Sequence, residues 1–260
     1  AAVATTAAAR PLADDDTYLY PFPLYHVSAY NVLHALARGR PVVLPRRFDV
    51  ALVSEMTAEH QVTVMSLAPT MLRMLLDHPP ARASELASLR TVAYGAAPMA
   101  PALLREAHDA LGVAFAQGYG MTELSGNAVF LSPEAHEQGL AGDERLLRAA
   151  GWPGPGVEIS VTDDDGRPVP PGEPGEVCVR GRQVSPGYWD DPEATAASRR
   201  DGWLRTGDVG VLDDDGLLTV VDRAKDIIVT GGENVASREV EEVLAHHPAV
   251  ARVAVVGLPD

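Results

Sequence analysis

Residues 117–123, Gln117-Gly118-Tyr119-Gly120-Met121-Thr122-Glu123, place a flat ring, a hydroxyl and a carboxylate beside two glycines. Glycine lets backbone approach a ligand closely and adopt dihedrals that other residues resist. The Tyr119 ring offers an apolar face on which a base can stack. The Thr122 hydroxyl can bond a phosphate oxygen. The Glu123 carboxylate can hold a hard cation such as Mg²⁺, which prefers a few carboxylates together with phosphate oxygens. Base platform, phosphate partner and metal ligand in consecutive residues describe a nucleotide site in miniature. The competing reading is a Gly-x-Gly tight turn between a strand and a helix, with no ligand at all.

The elements around this loop must position it. Val113 to Ala116 reads as a buried strand leading directly into it. Upstream, apolar runs at Thr17–Tyr20, Pro41–Leu44, Val62–Leu67 and Thr91–Tyr94 alternate with helical stretches at Val27–Ala37, Ala51–His60 and Met71–Leu76. A further helix starts near Pro101 and stops before Gly112, the usual asymmetry of proline at the start and glycine past the end. This alternation predicts an α/β fold, a mostly parallel sheet flanked by helices. Ligands of such sheets bind at the carboxyl ends of strands, where both the Gly95 and the Gly118 segments fall.

From Val157 the texture changes to short alternating strands with acidic turns at Asp163-Asp164-Asp165-Gly166 and Asp213-Asp214-Asp215-Gly216. The spacing and terminal glutamate of a calcium loop are missing, so these are expected to be hairpin turns. The expected organisation is an α/β part over 1–150, a β-rich subdomain over 151–222, and a hinge with the truncated start of a small α+β domain over 223–260. In that last part, Ile227–Val229 reads as a strand, Gly231-Gly232 as a turn, and Ser237 as the N-cap of a helix reaching His246.

The totals set limits. With 260 residues, 46% hydrophobic and 22% charged, the chain can bury a proper core and is not disordered. Its 21 basic against 36 acidic residues, net −15, argue against a nucleic-acid backbone as partner. No run approaches the roughly 18 apolar residues of a membrane span, and the alanine-rich start lacks the basic leader of a secretory signal. The lone Cys178 lies on an alternating strand pattern and is expected to be a buried structural thiol, in keeping with a reducing cytoplasm. Lys225 is the only lysine, so any lysine-dependent step traces to one position.

Five segments in order strengthen the loop signal: Pro23-Leu24-Tyr25-His26-Val27; Tyr94-Gly95-Ala96-Ala97-Pro98-Met99; Gly118 to Glu123; Gly202-Trp203-Leu204-Arg205-Thr206-Gly207-Asp208; and Asp222-Arg223-Ala224-Lys225-Asp226 running on to Gly231-Gly232-Glu233-Asn234-Val235. Together they resemble the AMP-forming adenylating enzymes, a superfamily of acyl-CoA synthetases, peptide-synthetase adenylation domains and luciferases. The resemblance implies ATP, Mg²⁺ and coenzyme A as the small molecules, with an acyl-carrier protein as an alternative acceptor. A carboxylate would join the α-phosphate of ATP, pyrophosphate would leave, and the acyl group would pass to a thiol.

The resemblance also implies roles. Tyr119 stacks on adenine within the nucleotide-binding run Gly118, Tyr119, Gly120, Met121, while Gly95, Ala96 and Ala97 line the base and acyl pocket with bare backbone. Thr122 contacts phosphate and Glu123 the magnesium. Asp208 accepts from both ribose hydroxyls, Arg223 reaches ribose or phosphate, and His26 stands where acyl pocket meets thiol tunnel. Lys225 matches the hinge, and Gly231 and Gly232 line the thiol tunnel. Each has a plainer reading: Asp208 as a turn cap, Arg223 in a surface ion pair, His26 as a packed, satisfied histidine.

Two pieces that the resemblance calls for are not in this sequence: a Ser/Thr/Gly-rich phosphate loop with its lysine, and the adenylation lysine of the small domain. The chain is therefore expected to be the middle of a longer ligase and, alone, to form no acyl-adenylate. Amino-acid-activating members of that superfamily place an aspartate near the position of His26 for the substrate ammonium. Tyr25 to Ser28 has none, so the resemblance implies a plain carboxylic acid, fatty first and aryl or short branched second. An amino-acid-type adenylation domain and a non-catalytic AMP-binding remnant are the alternatives. A dinucleotide enzyme is disfavoured because no G-x-G-x-x-G loop opens a helix with an acidic residue following at the right distance.

Overall fold

The computed structural model describes residues 1–78, 84–230, 233–245, 247, 249–250 and 253–258, and the chain divides into two compact units. The first comprises residues 1–157 and 181–185, the second 158–180 and 186–260.

In the first unit, seven strands among the described residues form one sheet: β1 (Tyr18–Leu19), β2 (Val42–Val43), β3 (Val64–Leu67), β4 (Thr91–Gly95), β5 (Ala114–Met121), β6 (Gly126–Leu131) and β7 (Trp152–Pro153). Their order is β2-β1-β3-β4-β5-β6-β7. Pairs from β2 through β5 are parallel and those joining β5, β6 and β7 antiparallel. The mostly parallel sheet is as expected from the alternation of apolar runs and helices.

Both faces are covered, which is why the strands read as continuous apolar runs rather than alternating ones. Leu19, Met65 and Leu67 pack on one side with helices α3 (Val50–His60), α4 (Pro69–Leu76) and α5 (Pro101–Leu111). Tyr18, Tyr20 and Val64 pack on the other with α2 (Tyr30–Ala37). The helix ends follow local chemistry. Asp49 caps α3 by accepting from the Leu52 N–H at 3.0 Å, and Gly112 closes α5 in the left-handed region.

Strands β6 and β7 and three helices of this unit carried no clear sequence signal. Helix α1 (Ala2–Ala9) is alanine-rich with no amphipathic stripe, yet it packs against α2 and β6. Helices α6 (Pro133–Leu140) and α7 (Glu144–Arg148) are short, and β6 is the return strand of a hairpin.

In the second unit, β8 (Val157–Thr162), β9 (Pro174–Gly181), β10 (Arg199–Arg200), β11 (Trp203–Leu212) and β12 (Leu218–Arg223) form a sheet ordered β10-β11-β9-β8, with β12 on β11; helix α8 (Pro192–Ala197) precedes β10. Both acidic clusters are turns, closed by Gly166 and Gly216 in the left-handed region and by the Asp163 and Asp213 carboxylates, which accept from following backbone amides. Among the described residues no group of three or more acidic, histidine or cysteine side chains is placed to hold a metal. Cys178 is buried beside Thr162, and burial pushes its thiol pKa up, the behaviour of a structural cysteine.

A hairpin of β13 (Ile227–Thr230) and β14 (Glu233–Ala236) leads into helix α9 (Ser237–Ala245). Ser237 begins that helix, and its hydroxyl donates to Asp222 at 2.9 Å. The Gly231-Gly232 turn and His246 lie outside the described residues. No helix among the described residues is long and apolar enough to cross a membrane.

Candidate functional site

The run 117–123 is not a loop between strand and helix. Strand β5 continues to Met121, pairing in parallel with β4 and antiparallel with β6. Its register puts Gly118 opposite Gly95, so the two glycine-bearing segments meet at the carboxyl end of the parallel strands.

The glycines answer to strand packing. A Cβ on Gly95 would lie 2.5 Å from the Gly118 carbonyl oxygen, and one on Gly120 would lie 2.1 Å from the Gly126 oxygen. On Gly118 it would meet the Asn127 side chain at 1.6 Å. None of the three takes a left-handed backbone, so the dihedral freedom expected of Gly118 and Gly120 is not what this geometry uses.

The unusual backbone lies beside them. Ala96, directly after β4, has φ +66°, and Ser125 has φ +57°. A left-handed alanine costs roughly 1–2 kcal/mol, and such strain collects where backbone is held for a purpose. Ala96 and Ala97 are both exposed.

Thr122 and Glu123 occupy a single 3₁₀ turn, Thr122–Leu124, with Thr122 exposed and Glu123 half-buried. Leu124 anchors that turn in the core, and the Ser125 N–H closes it on the Thr122 carbonyl at 2.9 Å. A hydroxyl and a carboxylate side by side on a fixed turn are a donor set that suits phosphate oxygens with a hard cation. Residues 181–185, the turn that follows β9, brace the 3₁₀ turn. The Ser185 N–H donates to the Glu123 carbonyl at 2.7 Å, and the Gln183 side chain donates to the Leu124 and Asn127 carbonyls at 3.1 and 2.9 Å. Nothing in the periodicity of Gly181–Pro186 marks Gln183; only the Ser125-Gly126 pair carried a turn signal.

His26 heads a 3₁₀ turn, Val27–Ala29, that packs against β6. Its Nδ1 accepts from the Ser28 N–H at 3.2 Å and lies 2.7 Å from the Ser28 hydroxyl, which Tyr20 in turn reaches at 2.8 Å. With Nδ1 an acceptor, the neutral ring carries its proton on Nε2. The ring also stacks on Phe22, so the packed-histidine description fits what surrounds it.

Beneath β4 and β5 a buried relay fixes the strand ends. His136 Nδ1 donates to the Ser132 carbonyl at 2.8 Å, leaving Nε2 to accept from the Tyr94 hydroxyl at 2.8 Å. The same hydroxyl lies 3.0 Å from the Gln117 side-chain oxygen, and its single proton serves one of these two acceptors at a time. Burial pushes the His136 pKa down to about 4 and raises that of Tyr94.

In the second unit, Asp208 sits on a bulge of β11. Residues 205 and 209 pair with 178 and 176, so four positions of β11 span two of β9. The excess is absorbed at Gly207, whose φ of +72° only glycine adopts freely. Thr206 pins the bulge, donating to the Val177 carbonyl at 2.7 Å and accepting from the Asp208 N–H at 3.1 Å. Asp208 is 6% exposed and faces Arg223 on β12, whose Nε lies 3.0 Å from its carboxylate. The structure thus brings these two candidates together as an ion pair. Lys225 is exposed in the three-residue turn between β12 and β13. Gly231 and Gly232, the candidates for a thiol tunnel, lie outside the described residues.

Known proteins resemble this chain in sequence and fold. The chain is 42% identical over 243 residues to a medium/long-chain-fatty-acid–CoA ligase, FadD8, of Mycobacterium tuberculosis, spanning 94% of this chain and 42% of the relative. Among solved structures, amide bond synthetase McbA from Marinactinospora thermotolerans superposes with TM-score 0.89 at 40% identity, over 99% of this chain and 51% of that one. O-succinylbenzoate coenzyme A synthetase from Bacillus subtilis, in complex with ATP and magnesium, gives 0.87 at 37%, over 99% and 52%. The chain spans about half the length of the curated relatives it matches. Residues 1–189, which contain Gly95–Ala97, Gly118–Glu123 and the brace at Gln183, match the family described as AMP-binding enzyme, and the chain belongs to that family.

Proposed function

We propose that this chain supplies the nucleotide-handling part of an AMP-forming acid–thiol ligase. In the reaction, a carboxylate oxygen bonds to the α-phosphorus of ATP, the bond to the bridging oxygen breaks, and pyrophosphate leaves. The thiolate of coenzyme A then attacks the acyl carbon and AMP departs. Both halves bring anions together, so fixed dipoles and cations must meet the developing charge.

The observation that carries the reading is the family match over residues 1–189, because that span contains the Gly95–Ala97 and Gly118–Glu123 segments. Their placement at the strand ends supports it: Tyr119 serves as the base platform, Gly95 to Ala97 as its backbone wall, and Thr122 as the phosphate partner. Magnesium bound at Glu123 would neutralise charge on the phosphate oxygens. Asp208 takes the ribose hydroxyls, set by its bulge, and Arg223 exchanges its ion pair for ribose or phosphate. His26 stands at the acyl end, and Lys225, exposed in its turn, acts as the hinge. We assign a plain carboxylic acid as substrate, fatty first and aryl or short branched second, since residues 25–28 carry no acidic group for a substrate ammonium. Coenzyme A is the first choice of acceptor and a carrier protein the second. The compartment we assign is the cytoplasm.

The test is calorimetric titration of AMP into the 260-residue chain, beside an assay of carboxylate-dependent ATP–pyrophosphate exchange. Saturable AMP binding in preference to CMP, without exchange, is the expected pair of results. Folded chain that ignores AMP would overturn the site, and exchange by the chain alone would overturn its partial character.

A further inference from the structure

Residues 181–185 belong to the first unit although the chain on both sides of them belongs to the second. What holds them there is a set of four hydrogen bonds to one turn. The Gln183 side chain donates to the carbonyls of Leu124 at 3.1 Å and Asn127 at 2.9 Å. The Gln183 backbone carbonyl accepts from the Ser125 hydroxyl at 2.9 Å, and the Ser185 N–H donates to the Glu123 carbonyl at 2.7 Å. The orientation of the amide follows from its partners, because two carbonyl oxygens at these distances require the NH₂ group. Gln183 is 4% exposed, so these bonds are shielded from water.

The turn so gripped carries Thr122 and Glu123 and ends on Ser125, whose φ of +57° is strained for a non-glycine residue. Strain of this kind persists only where the surroundings over-determine it. Gly126, next along, is pressed against the Tyr30 ring, which a Cβ would meet at 2.6 Å. The bonds from Gln183 bracket Ser125 and Gly126 on both sides, at 124 and 127.

We propose that Gln183 is a positioning residue: through Leu124, Ser125 and Asn127 it fixes the turn on which Thr122 and Glu123 meet the phosphate and its cation. The inference rests on the nucleotide reading given above. It adds that the site depends on a buried amide about 60 positions further along the chain, touching no ligand.

The test uses Q183M, which keeps length and apolar bulk but removes both donors, in the full 260-residue chain. Two readouts apply. Hydrogen exchange at the Ser125 amide, which reports the closed turn, is expected to quicken ~10- to 100-fold, while the Val92 and Phe115 amides in the core keep their rates. The dissociation constant for AMP with Mg²⁺ is expected to rise ~10-fold or more. Unchanged Ser125 exchange, or faster exchange with unchanged AMP affinity, overturns the role. Wild-type chain that binds no AMP overturns the nucleotide reading and the role together, whereas wild-type binding matched by Q183M overturns only the role. If Q183M does not fold, S125A removes a single bond of the set. It is expected to move both readouts ~3- to 10-fold, and no movement in either overturns the proposal.

Discussion

Replacing Gly120 by alanine separates the two reasons a glycine can stand beside Tyr119. The new Cβ would lie 2.1 Å from the Gly126 oxygen and 2.6 Å from the Asn127 Cα, where ordinary contact starts near 3.4 Å. Both obstacles are backbone of the paired strand β6, so no rotamer change gives relief, and the strands must part by about 1 Å. Overpacking costs ~1–3 kcal/mol, and a backbone-on-backbone clash belongs at the upper end, ~3 kcal/mol. For a domain the size of the first unit each kcal/mol lowers the melting temperature by ~2–4 °C. G120A should therefore melt ~6–12 °C below wild type by calorimetry, with no nucleotide present. G118A meets the Asn127 side chain instead, which can swing aside, and should lose ~1–2 kcal/mol. G112A meets nothing within 4 Å and carries only the strain of its φ of +63°, ~1 kcal/mol. If these glycines served only to admit a ligand, G120A would melt with wild type and lose AMP binding alone. That result would refute the packing argument.

Two more outcomes follow from other parts of the molecule. D208N should weaken AMP ~10- to 100-fold, the range for hydrogen bonds to a charged acceptor, and should abolish the preference for AMP over 2′-deoxy-AMP in competition titrations. Its cost to stability should stay under ~1 kcal/mol, because Arg223 is exposed and regains water when the pair is lost. Stability should also fall on acidification from pH 7 to 5. Burial, the largest cause in each case, pushes both His34 and His136 down to about 4. The unfolded chain takes up protons near pH 6.5 that the folded chain refuses, so their contribution is complete above about 6.5 and lost as pH drops towards about 4. The slope is ~1.4 kcal/mol per pH unit for each histidine. Urea midpoints from pH 7 to 5 measure it, H136Q should remove about half, and a flat profile in wild type would contradict it.

Much of this fold was legible because its signals are local. Alternating apolar runs and amphipathic helices gave the parallel strands, and Pro101 with Gly112 bounded α5 closely. Asp-Gly clusters gave the hairpin turns, and the ordered motifs pointed to the chemistry. What was not legible depends on pairing between distant residues. Strand β5 reads as ending at Ala116, because Gly118 and Gly120 are poor strand formers; only the partners β4 and β6 make the glycines necessary. The bulge that presents Asp208 arises from register against β9, which no single strand encodes. Gln183 lies in a stretch without periodicity, and its role appears only once the turn after β5 is in place. Helix α1 has no apolar stripe to announce it, since an alanine-rich helix buries whichever side its neighbours cover.

The most direct test of the central claim is an AMP titration of the isotope-labelled chain followed by ¹H–¹⁵N spectra. The nucleotide assignment predicts saturable shifts at the amides of Tyr119, Thr122, Glu123 and Asp208, absent with CMP and weakened by D208N. A folded chain whose spectrum does not move with AMP, or moves only at residues remote from these segments, would contradict it.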